Sequence, residues 1–264
     1  MIESFILGTI QGIAEWLPVS SEGLIFLVKS NFFNSGGSFM EIAELALWLH
    51  LGTFLAALAY FRREVWMLLK TLVKFRSAPE NNRKILFFLI VSTLISGFLG
   101  LGLISSLAYL EKYLNYTAKT TTLAVGLLLL LTAYLQFKAQ GGGLKSADGL
   151  EKKDGIILGL AQGLAALPGL SRSGLTVSML LLRKFKEDTA LKLSFLMSLP
   201  IVLAGNIILN LDKFNLGPES LISILASFVF GYLTIGFLLK LAKKINFGWF
   251  VLIFGLLTIL SVLV

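Results

Sequence analysis

The residues able to do chemistry in this chain fall in two short stretches. One supplies Gln11, Glu15, Ser20, Ser21 and Glu22; the other supplies Gln162, Ser171, Arg172 and Ser173. Gln11 and Glu15 are four apart, so a helix carries them on one face. Pro18 stops such a helix, and the Val-Ser-Ser-Glu-Gly turn after it aims N–H groups and hydroxyls at one point. The second turn, Pro168-Gly-Leu-Ser-Arg-Ser-Gly174, does the same and adds a guanidinium. An arginine beside serines at a helix start suits phosphate. Its N–H fork matches two phosphate oxygens, and the helix dipole favours an anion. The plainer alternative is that Arg172 neutralises Glu15 or Glu22 in a buried ion pair.

Other chemistries are excluded or weak. The chain has no cysteine, hence no disulfide and no thiolate site, and its single histidine, His50, rules out multi-histidine metal centres. His50 sits in Trp48-Leu49-His50-Leu51-Gly52, where lining a pocket and simple packing are both open. Glu41 and Glu44 start an apolar run and read as interfacial, and Gly141-Gly142-Gly143 reads as a linker, not a dinucleotide loop.

The elements that must position these groups are membrane helices. Of 264 residues, 56% are hydrophobic and 14% charged, with mean hydropathy +0.85, which excludes an ordinary soluble domain. A span needs about 20 apolar residues. Six runs fit, at 41–61, 85–110, 119–138, 190–211, 219–240 and 247–264. The stretches 2–29 and 155–182 are interrupted by Pro18 and by Pro168-Gly169, leaving limbs too short to span. No cleavable signal peptide is expected, because Met1 is followed by no basic region.

Residues 6–24 and 157–175 align without gaps at nine identities in nineteen positions, among them Gln11/Gln162, Gly12/Gly163, Ser20/Ser171 and Gly23/Gly174. This predicts two halves, about 1–140 and 150–264, in a single membrane domain. Of 23 basic residues, 18 lie in the loop 62–84, in 138–153, in 183–192 and near 240–244. The positive-inside rule makes these segments cytoplasmic. The second broken stretch, flanked by basic segments on both sides, then enters and leaves on one face as a re-entrant helix–turn–helix. Its partner does so from the other face, so the halves are inverted and both termini lie outside. The alternative, a single kinked span at 2–29, removes the symmetry and places the N-terminus inside. The net charge of +8 is explained by these loops and anionic headgroups, and no nucleic-acid partner is expected.

QGIAEWLPVSSEGL at 11–24 and LPGLSRSGLT at 167–176 resemble the two signature motifs of the undecaprenyl-diphosphatase (bacitracin-resistance) membrane family. The resemblance continues through LHLGTFLAALAYFRR at 49–63 and LSFLMSLP at 193–200 and covers essentially the whole chain. It implies hydrolysis of a polyprenyl diphosphate to the monophosphate and inorganic phosphate, in the cell membrane, at a site opening to the outer face. It also implies a divalent cation, Mg or Ca. By position it assigns catalysis to Glu15, Ser21 and Arg172, and substrate contacts to Ser171, Ser173 and Thr176; the cation is expected to be held partly by Glu15, with Glu22 as an alternative metal ligand or proton relay. Gln11, Ser20 and Glu22 complete the expected substrate-binding set. Where many members carry histidine, this chain has Leu24, and Glu22 stands where a small hydroxyl residue is common. His50 belongs to another element. A lipid-phosphate flippase or other anion carrier is the rival function, since inverted repeats are frequent among transporters. Self-association is left open by the sequence.

Overall fold

Ser20 and Ser171 each hold extended backbone and accept, through Oγ, the N–H of the glycine three residues on. The distances are 3.1 Å for Gly23 and 3.0 Å for Gly174. Such a cap satisfies one of the donors that a helix start leaves open. In the computed structural model these caps begin two of a series of helices. The series runs α1 (Ile2–Ala14), α2 (Ser21–Phe32), α3 (Phe39–Tyr60), α4 (Arg62–Val73), α5 (Glu80–Tyr113) and α6 (Ala118–Lys138). It continues with α7 (Lys152–Leu164), α8 (Arg172–Leu182), α9 (Glu187–Asn210), α10 (Pro218–Lys244) and α11 (Gly248–Leu260). The structure describes residues 1–33, 39–113, 118–139, 143–167, 169–210, 217–260 and 262. Pro168, the Gly141-Gly142 part of the expected linker and the side chain of Glu41 lie outside them. With 85% helix and no strand among the described residues, the all-α class stands.

Both interrupted stretches are broken where the prolines indicated, between α1 and α2 and between α7 and α8. α5, α9 and α10 hold segments long and apolar enough to cross a bilayer. α3 and α4 form a further candidate, bent by 84° at the junction between them, while α1, α6, α8 and α11 are shorter apolar helices. The protein is therefore a multi-pass membrane protein. One element was not foreseen: part of the basic loop expected at 62–84 is the amphipathic helix α4. Pro200 lies inside α9 without ending it, as neighbouring helices allow in membrane proteins.

Packing crosses between the two halves of the chain. α1 lies along α10, and α7 lies along α5. Small residues let these backbones approach. A Cβ added at Gly12 would stand 2.7 Å from the Ser227 carbonyl oxygen of α10, and one at Gly163 would stand 2.9 Å from Leu99 Cβ of α5. Just beyond α1, Trp16 Nε1 donates to the Gly231 carbonyl at 3.0 Å, and its ring meets Phe195 of α9 edge-on. The main core joins Trp16, Phe88, Leu158, Leu180, Phe195 and Ile235. At the basic end, Glu151 N–H donates to Asp154 Oδ2 at 2.8 Å, and the buried Asp154 accepts from Arg183 Nε at 2.6 Å. That pair ties the start of α7 to the end of α8.

Candidate active site

The two breaks meet and complete each other. The non-helical stretch after α1 leaves three consecutive carbonyls without helical partners, and in a packed interior each needs a donor. Ser173 Oγ donates to Leu17 O at 2.9 Å, Gln136 Nε2 of α6 donates to Pro18 O, and Ser171 Oγ donates to Val19 O at 2.9 Å. The start of α8 is thereby fixed against the first break. α2 and α8 both begin at this junction, and helix geometry leaves the N–H groups of Ser21, Glu22, Arg172 and Ser173 without helical partners.

Glu15 is the hub. Its Oε1 accepts from Arg172 Nη2. Its Oε2 accepts from Gln11 Nε2 at 2.9 Å and Ser21 Oγ at 3.2 Å, and lies 3.1 Å from His50 Nε2. Gln11, Glu15 and Ser21, close together in sequence, are thus brought to Arg172 from the other half of the chain. The ion pair between Arg172 and Glu15 is present, so the plainer alternative holds as far as it goes. It uses only part of the guanidinium: Arg172 Nη1 is buried and has no hydrogen-bond partner among the described residues. An unpaired cationic N–H in that position is a vacant donor for an anion.

His50 enters from α3, with Nδ1 2.5 Å from the Ala46 carbonyl oxygen. A carbonyl only accepts, so Nδ1 carries a hydrogen and Nε2 is turned toward Glu15. The sequence sets His50 apart from both motifs, and the fold returns it to them. Leu24 packs with the Val125 and Leu129 cluster instead. The signal that could have found His50 was the presence of a lone ionisable ring within an apolar run.

Glu15, Ser21, Glu22, His50, Arg172 and Ser173 surround a small polar pocket, with Ser20 and Ser171 also on its wall. Glu22, His50 and Arg172 also border a larger cleft between α3, α5, α7 and α9. That cleft is otherwise mostly apolar, with Leu101, Ile104, Ile201 and Ile208 on its walls and Gly97 and Gly100 widening it. Gln162 lies in it and donates to Ser96 Oγ at 3.0 Å. Glu22's carboxylate makes no hydrogen bond among the described residues. Thr176, expected at the substrate, is fully buried behind the turn: its hydroxyl donates to Arg172 O at 2.8 Å and lies 2.7 Å from Ser194 Oγ. It supports the turn that carries Arg172. A separate cavity lies against Pro18 and Gln136 and reaches Glu187 and Lys244.

The site therefore sets a donor-rich, cationic pocket beside an apolar cleft. Comparison with known proteins agrees in kind. The family model described as bacitracin resistance protein BacA matches residues 4–260. A Methanococcoides burtonii protein named undecaprenyl-diphosphatase is 40% identical over 264 residues, covering 98% of this chain and 97% of that one. Proteins of the same name from Methanothrix thermoacetophila and Haloarcula marismortui are 33% and 35% identical, covering 98% and 97% of this chain and 95% and 94% of theirs. Matched from end to end by the family model and by relatives of its own length, the chain belongs to the bacitracin resistance protein BacA family.

Proposed function

We propose that the protein hydrolyses a polyprenyl diphosphate of undecaprenyl type to the monophosphate and inorganic phosphate, which returns the lipid carrier to glycan and cell-wall synthesis. The observation that carries this is the junction of two cavities at Arg172. A polar chamber with a vacant guanidinium N–H stands at the head of an apolar cleft, and a diphosphate on an isoprenoid tail has that same division. Arg172 Nη1 and the N–H groups that open α2 and α8 hold the terminal phosphoryl oxygens. Electrostatic stabilisation of this kind usually supplies most of the rate enhancement in phosphoryl transfer. As the oxygen of Ser21, or of a water held by it, bonds to the terminal phosphorus, Glu15 takes its proton and the bridging P–O bond breaks to release the polyprenyl monophosphate; where Ser21 attacks, water then displaces inorganic phosphate from it and restores its hydroxyl. His50 fixes Glu15 from the other side.

The cation expected at Glu15 fits Glu22 better. Both Glu15 oxygens are already occupied by donors, whereas Glu22 faces both cavities. Among the described residues no group of three or more histidine, cysteine or acidic side chains could hold a metal. A Mg-type ion takes one or two carboxylates and completes its shell with substrate phosphates and water. Bound at Glu22, such an ion would neutralise charge on the diphosphate.

The layout we propose has six spans and two re-entrant elements, α1–α2 and α7–α8, in inverted halves. Two features support it: the Asp154–Arg183 pair that joins both ends of the second element, and the crossed packing of α1 on α10 and α7 on α5. With the basic segments inside, both termini lie outside and the catalytic cleft opens to the outer face. Purified protein should release phosphate from farnesyl and C55 diphosphates in a metal-dependent way, and Ser21→Ala and Arg172→Ala should abolish that release. The cavity behind Pro18 favours a second reading, a carrier of polyprenyl phosphate. Transbilayer movement of the lipid phosphate without any phosphate release would decide for the carrier.

A further inference from the structure

α4 has a face that nothing in the protein covers. One side is used: Leu68 and Thr71 are buried, Leu68 in the core with Ile85, Leu86 and Leu89. The other side presents Trp66, Leu69, Leu72 and Val73, between 49% and 83% exposed, at spacings that form one stripe along a helix. Arg62, Arg63 and Lys70 on the helix and Lys74 at its end are all exposed. None of the four lies within ion-pair distance of a carboxylate among the described residues. The one acidic residue of the helix, Glu64, is taken by Lys192 of α9 at 2.7 Å. Lys70 Nζ stands 5.3 Å above the Trp66 ring, which keeps the ammonium beside the apolar stripe. The sharp turn out of α3 directs the helix away from the axis of that span.

The geometry points to α4 as a surface-lying membrane helix that recognises anionic phospholipid headgroups at the basic end of the protein. A stripe of this width sinks into the boundary between headgroups and acyl chains, with tryptophan at the level where aromatic residues collect. Four cations without carboxylate partners then meet lipid phosphates, and the pairing of Glu64 with Lys192 removes the one local charge that would compete. The occupant is a negatively charged bilayer surface rather than a soluble anion, because the cations flank an apolar stripe and converge on no pocket.

Since the chain contains no cysteine, Leu69→Cys gives a unique attachment point for a spin label. In nanodiscs the label should be more accessible to oxygen than to a water-soluble nickel reagent, which places it at the acyl boundary. Spin-labelled phosphatidylglycerol should associate with the wild-type protein several-fold more than spin-labelled phosphatidylcholine at low salt. Changing Arg62, Arg63, Lys70 and Lys74 together to Gln should bring that preference down to near unity, since these cations supply the attraction to anionic headgroups. High salt should have the same effect. Phosphate release by the fourfold variant in detergent serves as the check of folding, because none of the four residues touches the site. A label in water, a label broadened by a second copy of the chain, or equal lipid preference in both proteins would overturn the assignment.

Discussion

Glu15 is gripped by an arginine, a histidine, a glutamine and a serine. Replacing it with glutamine keeps the shape but removes the charge and sets an NH₂ group against donors. Glu15→Gln should cut phosphate release at least about 100-fold, since it removes both the base and the anchor of Arg172. Full activity in that variant would sink the mechanism. His50→Ala should lower kcat/KM by roughly 10- to 100-fold. His50→Gln, which can still offer an N–H, should recover part of the loss. Glu15, Ser21 and Arg172 were legible from residue type and motif, because polar groups in apolar stretches are costly and so conspicuous. The contact from His50 was not. It depends on α3 packing beside the first break, and a separation of 35 residues in sequence carries no trace of it.

Two serines with the same local role differ in what else they hold. Ser20 caps α2 alone, whereas Ser171 caps α8 and also donates to Val19 O. Ser20→Ala should cost about 1 kcal/mol, and Ser171→Ala about 2 kcal/mol, because a buried carbonyl is also left unsatisfied. Thermal unfolding in detergent should rank them in that order; equal midpoints would deny the link between the breaks. Gly12→Leu should be worse than either, since the added Cβ alone meets the α10 backbone. Its product should fail to accumulate as folded protein. Both breaks were legible, because proline cannot continue a helix. The helix in 62–84 was missed because the basic residues there were counted for topology. The apolar residues Trp66, Leu69 and Val73, at positions i, i+3 and i+7, were the unread signal.

For the whole molecule, the inverted arrangement makes a sharp prediction about sidedness. Single cysteines in place of Lys152 and Ser220 should react with an impermeant maleimide from opposite faces: Lys152→Cys only after the membrane is opened, Ser220→Cys in intact cells. Labelling of both from one face would remove the inversion. The crossed packing also has a consequence in time. Trp16 is fixed by the carbonyl of Gly231, 215 residues further along the chain. A ribosome adding about 5–20 residues per second needs on the order of 10–40 s to cover that distance. Throughout that interval α1, with Gln11 and Glu15 on its surface, has been made but has nowhere to dock. The most motif-like part of the chain is thus synthesised early and assembled late. A translation product truncated before α10 would retain the first signature sequence yet lack its seat, and the cell's membrane quality control would meet an unpaired apolar helix carrying Gln11 and Glu15.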